Sequence, residues 1–144
     1  MEDFASEIQA LQLQAAKMQY NRLALSRFTR CLQQLRGVGA TMNIQAAHIY
    51  MEVVIQQGIT VGELIRKTGL SQASCSRNLA LLSKVQRHGR PGFDLVVSLE
   101  DPYERRRKVT YLTPRGGELA AALSDIFKSG RQGSELHSGV AAES

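Results

Sequence analysis

Phe4, Ile8, Leu11, Ala15, Met18, Leu25, Phe28, Leu32 and Leu35 fall at steps of three and four, broken only where Arg22 interrupts the stripe. That spacing is the signature of an amphipathic helix. No Pro or Gly intervenes before Gly37, so the pattern predicts one helix over 1–36, of roughly 30 residues where an average helix has about 11 to 12. A long helix with one narrow apolar stripe leans on another helix. A second copy of the chain is its best partner, with Ile8, Leu11, Met18, Leu25, Phe28 and Leu32 as the dimerisation residues.

"RGVGATMN" (36–43) ends the helix with two glycines and offers Thr41 and Asn43 as caps for the next. Ile44, Ala47, Ile49, Met51, Val54 and Ile55 then read as a second helix closed by Gly58, and "ITV" (59–61) as a small strand or turn. Leu64 and Ile65 give a short apolar face, Gly69 a turn, and Ser71 an N-cap, which together predict a helix-turn-helix with its second helix over about 71–87.

That second helix has two chemically distinct arcs. Cys75, Leu79, Leu82 and Val85 share the apolar one, while Gln72, Ala73, Ser76, Arg77, Lys84 and Arg87 share the other. The outer arc is small, polar and basic, without a carboxylate. Short side chains allow close approach to base edges, Gln and Arg pair bidentately with adenine and guanine, and flanking cations neutralise phosphates. A helix that is merely solvated more often mixes Glu with Lys.

Beyond it, "FDLVVSLE" (93–100) places Phe93, Leu95, Val97 and Leu99 on one strand face, and "KVTYLT" (108–113) supplies the antiparallel return. Asp101-Pro102 starts the turn, and Arg105, Arg106, Arg107 and Lys108 descend from its tip. Thr113-Pro114 reads as cap and first residue of a helix over 114–128 through Leu119, Leu123, Ile126 and Phe127. The Gly, Ser and Ala content of 129–144 predicts a disordered tail.

Charge reinforces this reading. The 144-residue chain carries 18 Lys+Arg against 13 Asp+Glu, and its pI is about 9.6. Between Leu64 and Phe93 stand Arg66, Lys67, Arg77, Lys84, Arg87 and Arg90 with no acidic residue. A field so concentrated suits a polyanion.

The wing region resembles the MarR family of winged helix-turn-helix transcription regulators. The family pattern, D-P-x-D-x-R followed by x-x-x-V-x-L-T-x-x-G, is matched by Asp101, Pro102, Glu104, Arg106, Leu112, Thr113 and Gly116, with Thr110 replacing the usual apolar residue. "TVGELIRKTGLSQASCSRNLALLSK" resembles the family's helix pair, so the likeness covers about 42–123. It implies a mainly α fold with a small β-hairpin: a DNA-binding lobe over 42–113, a wing over about 93–113, and long N-terminal and short C-terminal dimerisation helices packed together.

The resemblance also implies residue roles. Arg106 would enter the minor groove, with Glu104 in place of the usual orienting Asp, while Arg105, Arg107 and Lys108 contact phosphates. Ser71, Gln72, Ala73, Ser74, Ser76, Arg77 and Lys84 would line the major groove, with Arg87 and Arg90 adjoining the wing. Three departures stand out. "VQRHGRPGFD" (85–94) is an insertion, Ser98 and Leu99 occupy positions where an Arg is often found, and the C-terminal base is short, which argues against small-molecule sensing.

The expected function is a homodimeric, sequence-specific repressor of an inverted-repeat operator in double-stranded DNA. The alternative is a structural plasmid or phage DNA-binding protein, such as a partition adaptor coating repeated sites. No enzymatic activity, cofactor or metal is expected. His48, His88 and His137 are scattered, Cys31 and Cys75 lie 44 positions apart, and no G-x-x-x-x-G-K loop occurs. The apolar arc position of Cys75 disfavours redox sensing. No signal-peptide core or membrane-length apolar run is present, so a cytoplasmic location without membrane association is expected.

Overall fold

The structure is a computed structural model that describes residues 2–143, with side-chain surroundings for 3–128. Its elements, in chain order, are α1 (Glu2–Lys17), α2 (Arg22–Arg36), α3 (Ile44–Ile55), β1 (Ile59–Thr60), α4 (Val61–Thr68), α5 (Gln72–Leu82), β2 (Val96–Glu100), β3 (Lys108–Leu112) and α6 (Pro114–Glu143). Helices dominate, and the strands form one antiparallel sheet in the order β1-β3-β2.

The first surprise is the N-terminal region, where the single helix expected over 1–36 is two. Asn21 adopts an extended backbone, and its side chain accepts from Ala24 N at 3.0 Å, capping a new helix. The apolar stripe hid this break because Met18 and Leu25, on either side of it, nearly keep the helical phase. Arg22, which interrupts the stripe, opens α2 and sets its guanidinium 6.0 Å from the Tyr20 ring centroid.

The helix starts after α2 also carry their own caps. Asn43 accepts from Ala46 N at 2.9 Å and Ser71 from Ser74 N at 3.1 Å. Thr60 accepts from Glu63 N while donating to Glu63 Oε1, both at 3.1 Å. Burial lies on Ile49, Tyr50 and Val53 of α3, Leu64 of α4, Cys75 and Leu82 of α5, and Ile59, Leu95 and Val96. Ile44 and Ile55, read as part of the α3 face, are exposed instead. Gln45, His48 and Glu52 mark the outer side of α3 at steps of three and four, and Ile44 and Ile55 fall in line with them.

α5 is shorter than expected and ends at Leu82 rather than near 87. The following chain folds back and takes the helix's terminal carbonyls: Phe93 N donates to Leu81 O, Leu95 N to Leu82 O and Asp94 N to Ser83 O. These are the acceptors that another helical turn would need. Val85 therefore leaves the apolar arc and is exposed.

The strand phase also differs. Asp94 has φ +56°, a left-handed turn that delays β2 until Val96. Leu95 and Val96 are both buried, whereas Val97 and Leu99 face outward. Ser98 thus points inward, opposite Thr110 in the register.

The Leu-Thr-x-x-Gly stretch joins lobe to helix. Thr113 donates its hydroxyl to Asp94 O at 2.6 Å and accepts from Gly116 N at 3.0 Å, fastening the strand to the start of α6. Gly116 lies directly on the Leu95 carbonyl, where a side chain would collide, and its own carbonyl accepts from Tyr50 Oη at 2.6 Å. α6 then packs on α2 through Leu123 and Ile126, where the Cys31 thiol approaches Leu123 O at 4.0 Å. The α6 backbone stays helical through 129–143, the stretch that composition reads as a tail, whose side chains lie outside the described residues.

Candidate nucleic-acid interface

α5 presents its expected arc to solvent at the N-terminal end. Ser71, Gln72, Ala73 and Arg77 are exposed, with Ser74 and Ser76 half-buried between them. Arg77 Nη2 donates to Ser74 Oγ at 3.3 Å, a contact that lays the guanidinium along the helix surface.

Beneath the arc sits Asn78, buried and unforeseen in the sequence. Its Nδ2 donates to Gln45 Oε1 at 3.1 Å and to Ser74 O at 2.9 Å, tying α5 to α3. The signal was there: Asn78 stands three residues after Cys75, on the edge of the apolar arc.

Lys84 and Arg87 do not extend this helix face by periodicity, because α5 has ended. Lys84 is exposed in the loop after the C-cap Ser83, and Arg90 lies exposed in the same loop. Arg87 nevertheless returns to the helix, where its Nη2 donates to Ser76 Oγ at 2.6 Å. The fold thus restores by loop geometry a proximity that the sequence assigned to helical spacing.

The wing is built around Asp101, which is buried at 6% exposure although it stands in a turn. Its Oδ1 accepts from Tyr103 N at 2.9 Å, and its Oδ2 accepts from Arg107 Nη2 at 2.6 Å and Nε at 2.9 Å. The backbone bond from Tyr103 and the guanidinium of Arg107 hold the carboxyl below its ordinary range. Glu104, expected to orient Arg106, instead lies 3.9 Å from Arg107 Nη1. Arg107 is tied to Asp101 yet half-exposed, while Arg105 and Arg106 stand exposed at the tip and Lys108 exposed at the start of β3.

Helix and wing face each other across an open cleft of about 750 Å³, with Gln72, Ser76 and Arg87 on one side and Arg106, Arg107 and Lys108 on the other. Its lining carries guanidinium, ammonium, amide and hydroxyl groups beside the Glu104 carboxylate, and the cationic excess suits a phosphorylated polymer. Among the described residues no cluster of three His, Cys, Asp or Glu could hold a metal. Burial pushes the Cys31 and Cys75 thiols up, away from the reactive thiolate. No helix among the described residues is long and apolar enough to cross a membrane.

The expected dimerisation residues form a separate surface. Ile8, Leu11, Met18, Leu25 and Phe28 are exposed along α1, α2 and the break between them, while Leu32 is half-buried.

No protein-family model matches the chain, and neither does any curated protein sequence. Solved structures do resemble it. MepR of S. aureus in complex with DNA superposes with a TM-score of 0.60 at 18% identity, covering 85% of this chain and 93% of that one. RV1404 from Mycobacterium tuberculosis gives 0.59 at 16% identity, covering 92% and 80%. A MarR transcriptional regulator from Methanosarcina mazei Go1 gives 0.55 at 17% identity, covering 81% and 75%. By its element order, its wing and these superpositions, the chain has the winged helix-turn-helix fold of MarR-family transcriptional regulators.

Proposed function

We propose that this protein is a sequence-specific, double-stranded-DNA-binding transcription regulator that acts as a homodimer and represses from an inverted-repeat operator. The observation that carries the reading is the convergence of two surfaces. Gln72 and Ser76 of the outer arc of α5 line the same cleft as Arg106, Arg107 and Lys108 of the wing, which suits a helix in the major groove and a hairpin in the adjoining minor groove. Gln72, Ala73, Ser74, Ser76 and Arg77 face the bases, with Ser71 at the helix start, while Arg106 enters the minor groove and Arg105 and Lys108 meet phosphates. MepR, which has the same fold and was solved in complex with DNA, supports the DNA-binding reading.

Two chains pair through the exposed stripe of α1 and α2, which leaves Ile8, Leu11, Met18, Leu25 and Phe28 in water in the single chain. Burying such a stripe is the main force available for association. Occupying a promoter requires no catalysis and no cofactor, and the protein acts in the cytoplasm.

The test is selection of random duplexes by the purified protein at about 150 mM salt, a concentration at which weak sequence-independent attraction is screened. Enrichment of an inverted repeat with half-sites about one helical turn apart is the expected result. Direct repeats would instead indicate a protein that coats arrayed sites, and no enrichment would remove the sequence-reading role.

A further inference from the structure

The segment joining α5 to β2 is a built element rather than a slack connection. Val85 bridges Pro91 in antiparallel fashion, Gln86 N donates to Arg90 O at 2.8 Å, and Gly89 N donates to Gln86 O at 3.0 Å. Gly89 makes the tip with φ +78°, and Gln86 Nε2 donates to Pro91 O at 3.1 Å.

Its base is welded to the lobe. Gly92 N donates to Lys84 O at 2.9 Å, and Gly92 packs so tightly on the Ser83 carbonyl that no side chain fits. The Phe93 ring covers Gly39 in the α2–α3 connection. From 83 to 93 this small hairpin contains Lys84, Arg87, His88 and Arg90 and no carboxylate.

Arg87 is the residue it delivers to the interface. Ser76 Oγ accepts from Arg87 Nη2 at 2.6 Å, which leaves the serine hydroxyl hydrogen available to a second acceptor. Across the cleft stand Arg106, Arg107 and Lys108, with Glu104 as the one carboxylate lining it among the described residues and Ser98 and Thr60 as further hydroxyls. Arg107 is already paired with Asp101. Arg87, Arg106 and Lys108 line the same cleft from its two sides, an arrangement that favours an anion between them.

We infer that the 83–93 hairpin is a second basic arm, and that Arg87, positioned by Ser76, holds the DNA phosphodiester that crosses the cleft between α5 and the wing. This rests on the DNA-reading function proposed above. When a helix occupies the major groove and a wing the adjoining minor groove, a backbone strand must run between the two elements. The arm closes that passage from the side opposite the wing and adds one charge-assisted contact to a phosphate oxygen.

The experiment is duplex binding by fluorescence anisotropy between 50 and 300 mM KCl, with a selected operator and a scrambled duplex, for wild type, Arg87→Ala, Arg87→Lys, Ser76→Ala and the Ser76→Ala/Arg87→Ala pair. Arg87→Ala is expected to weaken both duplexes about tenfold and to reduce the slope of log affinity against log salt by ~0.9, the value of one phosphate contact. Arg87→Lys should restore the slope. The double variant should lose less than the sum of the single losses, because Ser76 acts partly through Arg87. An unchanged slope and affinity in Arg87→Ala would overturn the assignment, as would a loss confined to the selected duplex, which would mean base reading. Wild-type protein that binds no duplex at all would overturn the DNA-reading function itself.

Discussion

Arg107 and Asp101 close the wing on itself, the guanidinium reaching the carboxylate through Nη2 at 2.6 Å and Nε at 2.9 Å. The same carboxylate caps the turn at Tyr103 N. One acidic residue therefore orders the whole tip and leaves Arg105 and Arg106 to project.

Asp101→Asn is expected to loosen that tip. The neutral amide keeps an oxygen for Tyr103 N but loses the ion pair, so amide exchange across 101–107 should quicken while the helical lobe stays protected. The pH dependence has a definite sign. Because the folded carboxyl titrates below its unfolded value of about 3.9, its contribution is present above that pH and is lost as pH falls through the lower folded value. Thermal melts between pH 7 and about 2.5 should therefore show a flatter acid limb in the variant.

Specificity and affinity should separate between the two parts of the interface. Arg77→Ala is expected to weaken the preferred duplex by ~1–3 kcal/mol and relax one base position, whereas Lys108→Ala should weaken all sequences alike and reduce the salt slope by about 1. Competition titrations with selected and scrambled duplexes check both. Equal losses on the two duplexes for Arg77→Ala would remove its reading role.

The exposed helical stripe makes a prediction about assembly. Phe28→Glu places a charge in the middle of the surface proposed to pair two chains, and sedimentation velocity should show a monomer. The lobe does not depend on this side chain, so its melting should persist. Affinity for a duplex with two half-sites should fall by at least ~100-fold as the linkage between sites is lost.

Tyr50 offers a test of the seam between lobe and α6. Its hydroxyl donates to Gly116 O at 2.6 Å, and Tyr50→Phe should destabilise the protein by about 1 kcal/mol through the loss of that bond. Burial raises the phenol to about 12. Its stabilising effect is therefore complete below the unfolded value of about 10 and is lost as pH rises toward 12. The alkaline limb of a stability profile should be shallower in the phenylalanine variant.

The sequence made the order of elements readable because caps and turn residues act locally. Ser71, Gly69 and the Asp101-Pro102 turn mark their sites without help from the rest of the chain. What escaped was decided by long-range hydrogen bonds. The end of α5 depends on amides at 93–95, more than ten residues away, and the phase of β2 depends on one left-handed residue, Asp94. Two apparent departures from the family pattern explain each other only in the fold. Ser98 and Thr110, each polar where another type is usual, lie opposite one another and share a hydrogen bond of 3.1 Å. Helical spacing puts Arg87 on the outer arc of α5 only if the helix runs past Leu82; the loop adjoining the wing brings it to Ser76 instead.

The seam at Gly116 has an evolutionary side. α6 is attached to the lobe by the Leu95 carbonyl lying against Gly116 and by the Gly116 carbonyl bonded to the Tyr50 hydroxyl, so the junction tolerates no side chain at position 116 and is weakened by the loss of the phenol. Descendants of such a chain can rewrite the exposed stripe of α1 and α2, and with it the proposed choice of partner, while these two positions keep the winged lobe fixed to α6. Recognition and association can then diversify at different rates within one small protein.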